Sequence, residues 1–224
     1  MSDQASRGLM APSLDLPPRV SSFLVKVASR CNLRCDYCYV YEHADQSWRQ
    51  QPKLLSAENE QFLARRLGEY ALAAKLERLL VVFHGGEPLL FGARRLAALA
   101  DRIREVLPPF TAPDFSLQTN GVLLTEQELL LLKRARFGVS VSLDGPPSVH
   151  DRHRPDAKGR PSSERTLEAI RLLQRHPDTF SGVIGVIDPS AAPKAVLDYF
   201  AALNPPRLDL LLPDANHLRL PPGR

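Results

Sequence analysis

The stretch Cys31-Asn32-Leu33-Arg34-Cys35-Asp36-Tyr37-Cys38 decides how this chain is read. It follows Phe23 to Ala28, a run with the composition of a short strand. It holds all 3 cysteines of the 224-residue chain, an odd number at close spacing that suits an inorganic centre better than a disulfide framework. A short loop can wrap three thiolates around one side of a cubane, which leaves one iron of a 4Fe-4S cluster open to a substrate or cofactor. Spacing alone leaves two other readings open: a zinc site completed by His43, and three unconnected reduced thiols.

Beyond this loop, β-rich runs alternate with helical patterns, the mark of repeated βα units around a mostly parallel sheet. Strands are expected at Phe23 to Ala28, Leu79 to His84, Phe115 to Thr119, Val139 to Leu143, Gly182 to Ile187 and Leu208 to Leu212. Between them, Ser56 can cap a helix with Leu63, Leu67, Tyr70, Ala71 and Ala74 on one face. Leu96, Leu99, Ala100, Ile103 and Leu107 repeat at helical spacing and stop before Pro108. Thr125 and Glu128 form a capping-box pattern ahead of Leu129 to Leu132. Further helices are expected from near Ser163 to before Pro177, and from Pro193 to Leu203. Six such units make an α/β fold, either a partly closed (βα)6 barrel or an open doubly wound sheet. In both, function belongs at the carboxyl ends of the strands.

Residues 1–20 read as a proline-containing N-terminal tail, 21–214 as one core domain and 215–224 as a C-terminal tail. The 44% hydrophobic and 24% charged content excludes a chain disordered throughout. The net charge of +4 comes from scattered rather than massed basic residues, which argues against a nucleic-acid partner. No apolar run approaches the ~18 residues of a membrane span, and Met1 to Arg7 lacks the features of a secretion signal. A cytoplasmic protein is therefore expected.

Four further motifs stand at expected strand ends or just beyond them. His84-Gly85-Gly86-Glu87-Pro88 offers two glycines that let backbone approach a ligand and a carboxylate for an ammonium group; its plain reading is a tight turn with a surface Glu. Gln118-Thr119-Asn120-Gly121 and Ser142-Leu143-Asp144-Gly145 place short polar side chains where an α/β sheet receives its ligand, or serve as ordinary Asx turns. His150-Asp151-Arg152-His153-Arg154 is either a solvated charged loop or the source of an Arg fork for a carboxylate.

The pattern C-x3-C-x2-C, with Tyr37 before the last cysteine, resembles the radical S-adenosylmethionine (SAM, AdoMet) superfamily. The order of the other motifs resembles its SPASM-associated peptide maturases. The resemblance implies a radical SAM barrel in which Cys31, Cys35 and Cys38 bind a 4Fe-4S cluster whose open iron chelates SAM. An electron from an external donor would then cleave SAM to methionine and a 5′-deoxyadenosyl radical. It further implies SAM contacts from Tyr37, Gly85, Gly86, Glu87, Asn120, Ser142 and Arg154, with Gln118 and Asp144 facing substrate. The motif departs from the usual pattern at Arg160-Pro161, where a second glycine is common.

The run Tyr39 to Arg49, with His43 and Trp48, resembles FxsB-type maturases. That implies a ribosomally made (RiPP) precursor peptide as substrate, with an aromatic ring joined to a β-carbon as a cyclophane. A sulfatase-maturase-like radical SAM oxidase is the alternative enzyme; a zinc-binding protein or a catalytically silent peptide-binding fragment is the alternative outside enzymes. No cysteine follows Cys38, so the resemblance implies a chain lacking the SPASM domain or one that works with a separate SPASM-like partner.

Overall fold

The computed structural model describes residues 19–215 and 220. Most of both expected tails, residues 1–18, 216–219 and 221–224, lies outside the described residues. The core is one sheet of six parallel strands in sequential order: β1 (Ser22–Ala28), β2 (Arg78–Gly85), β3 (Ala112–Thr119), β4 (Phe137–Ser142), β5 (Phe180–Val186) and β6 (Leu208–Leu211). All six expected strands form. Sequential order excludes the doubly wound alternative, which needs a reversal of strand order across the sheet. β1 and β6 each pair with one neighbour, so the sheet is open, a partial rather than a closed barrel.

The crossovers are helices α1 (Ala57–Ala73), α2 (Ala93–Val106), α3 (Glu126–Arg134), α4 (Pro147–His153), α5 (Ser163–Gln174) and α6 (Pro193–Leu203). Strand periodicity shows which face they cover. On β2, Leu79, Val81 and Phe83 are fully buried, while Leu80, Val82 and His84 between them keep partial access. Phe137 stacks on Phe83 at 5.5 Å and on Phe115 at 5.7 Å, tying β2, β3 and β4 together under the helices. The opposite face of the sheet carries Ser116, Gly138 and Ser140 beside Leu80 and Val82 and borders a second cavity.

Three local expectations change. In α1 the expected Leu67 and Ala71 are buried and Leu63, Tyr70 and Ala74 pack partly buried against the core, but the innermost face also takes in Ala64 and Gly68, where the Val106 backbone of α2 passes so close that a methyl would collide. The same face buries Glu60, whose carboxylate takes Arg95 Nε at 2.7 Å and Arg102 at 3.1 Å. Thr125 does accept Glu128 N–H at 3.2 Å, but Glu128 does not reach back to complete a capping box. Its carboxylate instead accepts Ala93 N–H at 2.7 Å and caps the neighbouring helix α2. Finally, His150 to His153 are helical rather than loop: α4 starts on Pro147, which suits a first turn.

Phe83→Ala is expected to cost about 3–5 kcal/mol, since it opens a cavity beside the rings of Phe115 and Phe137. A urea unfolding midpoint unchanged from the parent would remove the stack from its central place.

Candidate active site

The cysteine loop leaves β1 at the edge of the sheet and is pinned on both flanks. Ser29 N–H donates to Lys53 C=O at 3.0 Å, and the Arg30 guanidinium donates to Ser29 and Trp48 carbonyls at 2.9 Å each. Across the loop, Arg34 N–H meets Pro155 C=O at 2.8 Å, Asp36 N–H meets His153 C=O at 3.1 Å, and Leu33 bridges to Asp156. Residues 153–156 thus act as a strand for the loop, a role the charged sequence did not announce. The Arg160-Pro161 departure is accommodated there, because Asp156 Oδ1 accepts both Lys158 N–H and Arg160 N–H and Gly159 takes φ +76°.

All three thiols are free and face a cavity of about 400 Å³. Burial pushes the Cys31 thiol up to about 12 and the Cys35 thiol to about 11, so both are neutral until a metal displaces their protons. The same cavity is lined by Tyr37, Gly85, Gly86, Glu87, Gln118, Asn120, Ser142 and Arg154, all anticipated from the sequence. It is also lined by His84, Thr119, Val186 and Leu211. These end their strands, and registering the pleat onto the uncovered face would have found His84, Val186 and Leu211.

Several anticipated roles change on inspection. Gly85 and Gly86 are needed first by the chain itself: a methyl at Gly85 would strike the Ala28 carbonyl, and one at Gly86 the Arg30 carbonyl and the Tyr41 hydroxyl. Glu87 is not a surface residue. It is 1% exposed, and its carboxylate accepts Leu89 N–H at 2.9 Å, Thr119 Oγ1 at 2.7 Å and Asn120 N–H at 2.8 Å. One of about four lone-pair positions is left. Burial raises its pKa despite those donors. The Asn120 amide donates to Asn32 Oδ1 at 2.8 Å and lies 3.8 Å from Cys31 Sγ, so it ties the end of β3 to the cysteine loop. Gln118 Nε2 donates to Ser142 Oγ at 2.9 Å, a pair spanning the ends of β3 and β4.

Asp144, expected to face substrate, does not line the cavity; it is 2% exposed and fully engaged. Its Oδ2 accepts the Tyr37 hydroxyl at 2.5 Å, and its Oδ1 accepts Val186 N–H at 3.1 Å and lies 3.5 Å from Arg154 Nη1. Arg154 Nη1 also donates to the Tyr37 hydroxyl at 2.7 Å, while its Nε is buried without a partner. The carboxylate met by the expected Arg fork is therefore the chain's own. Behind the triad lies His150, fully buried: Nδ1 accepts Asp144 N–H at 3.3 Å, which leaves Nε2 to donate to Ser162 Oγ at 3.0 Å. Ser162 Oγ in turn donates to Arg154 C=O at 2.5 Å. Burial and then the Arg154 charge bring His150 down to about 4.

A family model described as the radical SAM superfamily matches residues 25–196. The chain belongs to that superfamily. Radical SAM relatives include the serine-type anaerobic sulfatase-maturating enzymes of Bacteroides thetaiotaomicron, 31% identical over 67% of this chain and 35% of that protein, and of Klebsiella aerogenes, 32% identical over 76% and 41%. Among solved structures, anSMEcpe with bound AdoMet and the Kp18Cys peptide superposes with a TM-score of 0.74 at 26% identity, over 86% of this chain and 51% of that one. The chain thus spans about a third to a half of the length of the relatives it matches.

The radical SAM site suits a cluster. Each iron of a cubane takes a separate ligand, and here the three thiols line one cavity. Among the described residues no three His, Cys, Asp or Glu side chains converge as the ligands of one ion. The zinc arrangement through His43 is therefore not assembled; His43 Nδ1 lies 3.6 Å from Asp214 instead. No described helix is long and apolar enough to cross a membrane.

Asp144→Ala would leave the Arg154 guanidinium buried without its carboxylate and is expected to destabilise by about 3–5 kcal/mol in chemical unfolding; a loss under 1 kcal/mol would argue against the triad. His150 supplies a pH signature. Its folded pKa of about 4 lies below the ordinary 6.5, so unfolding takes up a proton in between, and stability present above pH 6.5 is lost as pH falls toward 4. The loss is on the order of 3 kcal/mol. His150→Gln should flatten that part of the pH profile of the urea midpoint.

Proposed function

We propose that this chain is the AdoMet-cleaving core of an enzyme that oxidises one residue of a peptide, in the manner of the sulfatase-maturating enzymes it is similar to. The observation that carries the reading is one cavity lined both by the three thiols and by the polar ends of β2, β3 and β4. The sulfatase-maturase alternative has the better support, because the relatives named above are maturases of that kind. Ring-to-β-carbon crosslinking rests on the run from Tyr39 to Arg49 alone.

Cys31, Cys35 and Cys38 would hold the cluster, and Gly85, Gly86 and Glu87 would receive the methionyl ammonium. Glu87 suits that task because it is anchored by three donors and keeps a lone pair for one more. Asn120, Ser142 and Arg154, which line the cavity, would serve the carboxylate and ribose, with Tyr37 along the same wall. When bound, the cluster and AdoMet supply one-electron chemistry that removes a hydrogen atom from the peptide. The chain's own part is to orient those groups and exclude water, and Gln118 with Ser142 forms the edge nearest an incoming peptide. The partners this reading needs are a precursor peptide and an external electron donor.

Anaerobic reconstitution with iron and sulfide, followed by dithionite, AdoMet and a serine- or cysteine-containing peptide, should yield 5′-deoxyadenosine. Oxidation at a serine Cβ leaves an aldehyde that a hydrazide captures, whereas a crosslink leaves none, so the two readings separate in one experiment. Cys35→Ala should abolish cleavage, and 5′-deoxyadenosine formed by that variant would overturn the assignment.

A further inference from the structure

The cysteine loop borders a further cavity, of about 330 Å³, besides the one that meets the strand ends. Cys31, Leu33 and Cys35 line both. Where the inner cavity continues onto the ends of β2, β3 and β4, this outer one continues onto Arg30, Arg34, Glu42, Trp48 and Arg49. Two of the three thiols are thus approached from a side that holds none of the groups assigned to AdoMet. The charge of the outer rim is one-sided. Arg30 is spent within the chain, on the Ser29 and Trp48 carbonyls at 2.9 Å each. Arg34 and Arg49 are not. The Arg34 side chain is 75% exposed and lies 3.9 Å from Glu42, an arrangement in which an ion pair contributes little. Arg49 is exposed, and its guanidinium is matched by the Trp48 ring, at 5.3 Å, rather than by a carboxylate. Arg and Trp are the residue types that most often anchor a protein interface.

We propose that this outer face docks an acidic, low-potential electron-carrier protein, which passes one electron to the cluster held by Cys31, Cys35 and Cys38. This rests on the cluster reading above and gives its electron donor a surface and a charge. The carrier is oxidised by one electron and the cluster is reduced by one; no bond or proton moves. A folded protein cannot enter an inner cavity of about 400 Å³, and electron transfer slows steeply with distance, so the carrier has to come close from outside. Complexes of electron carriers are small, and complementary charge steers their encounter. Arg34 and Arg49 supply that charge beside Cys31 and Cys35, and the net charge of +4 acts in the same direction.

The test is a calorimetric titration of the reconstituted protein with an acidic flavodoxin at about 0.1 M salt, where distant charges are screened, with and without saturating AdoMet. The parent should bind in both cases, and the photoreduced flavodoxin should reduce its cluster, as read by EPR. Arg34→Glu/Arg49→Glu should keep the same iron per chain and lose about tenfold or more in affinity. Arg134→Glu/Arg175→Glu makes the same change of net charge where α3 and α5 end and lead toward the amino ends of β4 and β5, and should bind as the parent does. If the first pair loads poorly, Arg34→Gln/Arg49→Gln decides the matter with a smaller loss in the same direction. A parent that takes up no iron would overturn the cluster reading, and the docking face with it. A loaded parent that fails to bind the flavodoxin, binds it without being reduced, releases it on addition of AdoMet, or loses equal affinity in both charge-reversed pairs would overturn the docking face alone.

Discussion

The buried contact among Asp144, Arg154 and Tyr37 is the constraint from which the rest of the site follows. Tyr37 sits between the second and third cysteines, Asp144 just past the end of β4 and Arg154 just past α4, and the three share hydrogen bonds of 2.5 and 2.7 Å. A charged pair this deeply buried is tolerable only when both partners are met, so none of the three can relax without stranding a charge. The cysteine loop, which leaves the edge strand β1, is thereby fastened to the middle of the sheet. His150 and Ser162 hold the two ends of the segment that supplies Asp144 and Arg154.

Packing on the other side of the sheet explains why the cavity is where it is. Helices cover the face of Leu79, Val81, Phe83, Phe115 and Phe137, so the thiols' cavity opens at the carboxyl ends of the strands, beside His84, Gln118, Ser142 and Val186. The glycines after β2 serve this arrangement less by touching a ligand than by admitting the chain's own atoms, the Ala28 and Arg30 carbonyls and the Tyr41 hydroxyl. Glu87 is then locked by donors from its own turn and from the end of β3. A carboxylate so anchored is pre-aimed, which is worth more to a binding site than a mobile one of the same charge.

Much of the site was legible from local sequence because its chemistry is carried by short motifs at strand ends. The cysteine spacing, the two glycines before Glu87, and the pairs Gln118 with Asn120 and Ser142 with Gly145 all fall where βα alternation puts ligands. The misreadings share a cause. Asp144 looked like an exposed turn residue because nothing in Ser142 to Gly145 records that Tyr37, 107 positions earlier, is its partner. Glu128 looked like half of a capping box because its real partner, Ala93, belongs to another helix. Residues 153–156 looked like solvated charge because their pairing with the cysteine loop involves backbone atoms, which any sequence can supply.

By itself the sequence determined the six alternating units, the parallel sheet and the trio of thiols, since periodicity and spacing are local properties of the chain. Only the tertiary structure decided that the sheet stays open with its strands in sequential order, and that Asp144 is buried against Tyr37 and Arg154. Those outcomes depend on which distant groups meet in a low-dielectric interior, where an unpaired charge or donor is costly. Such pairings are settled by the fold as a whole.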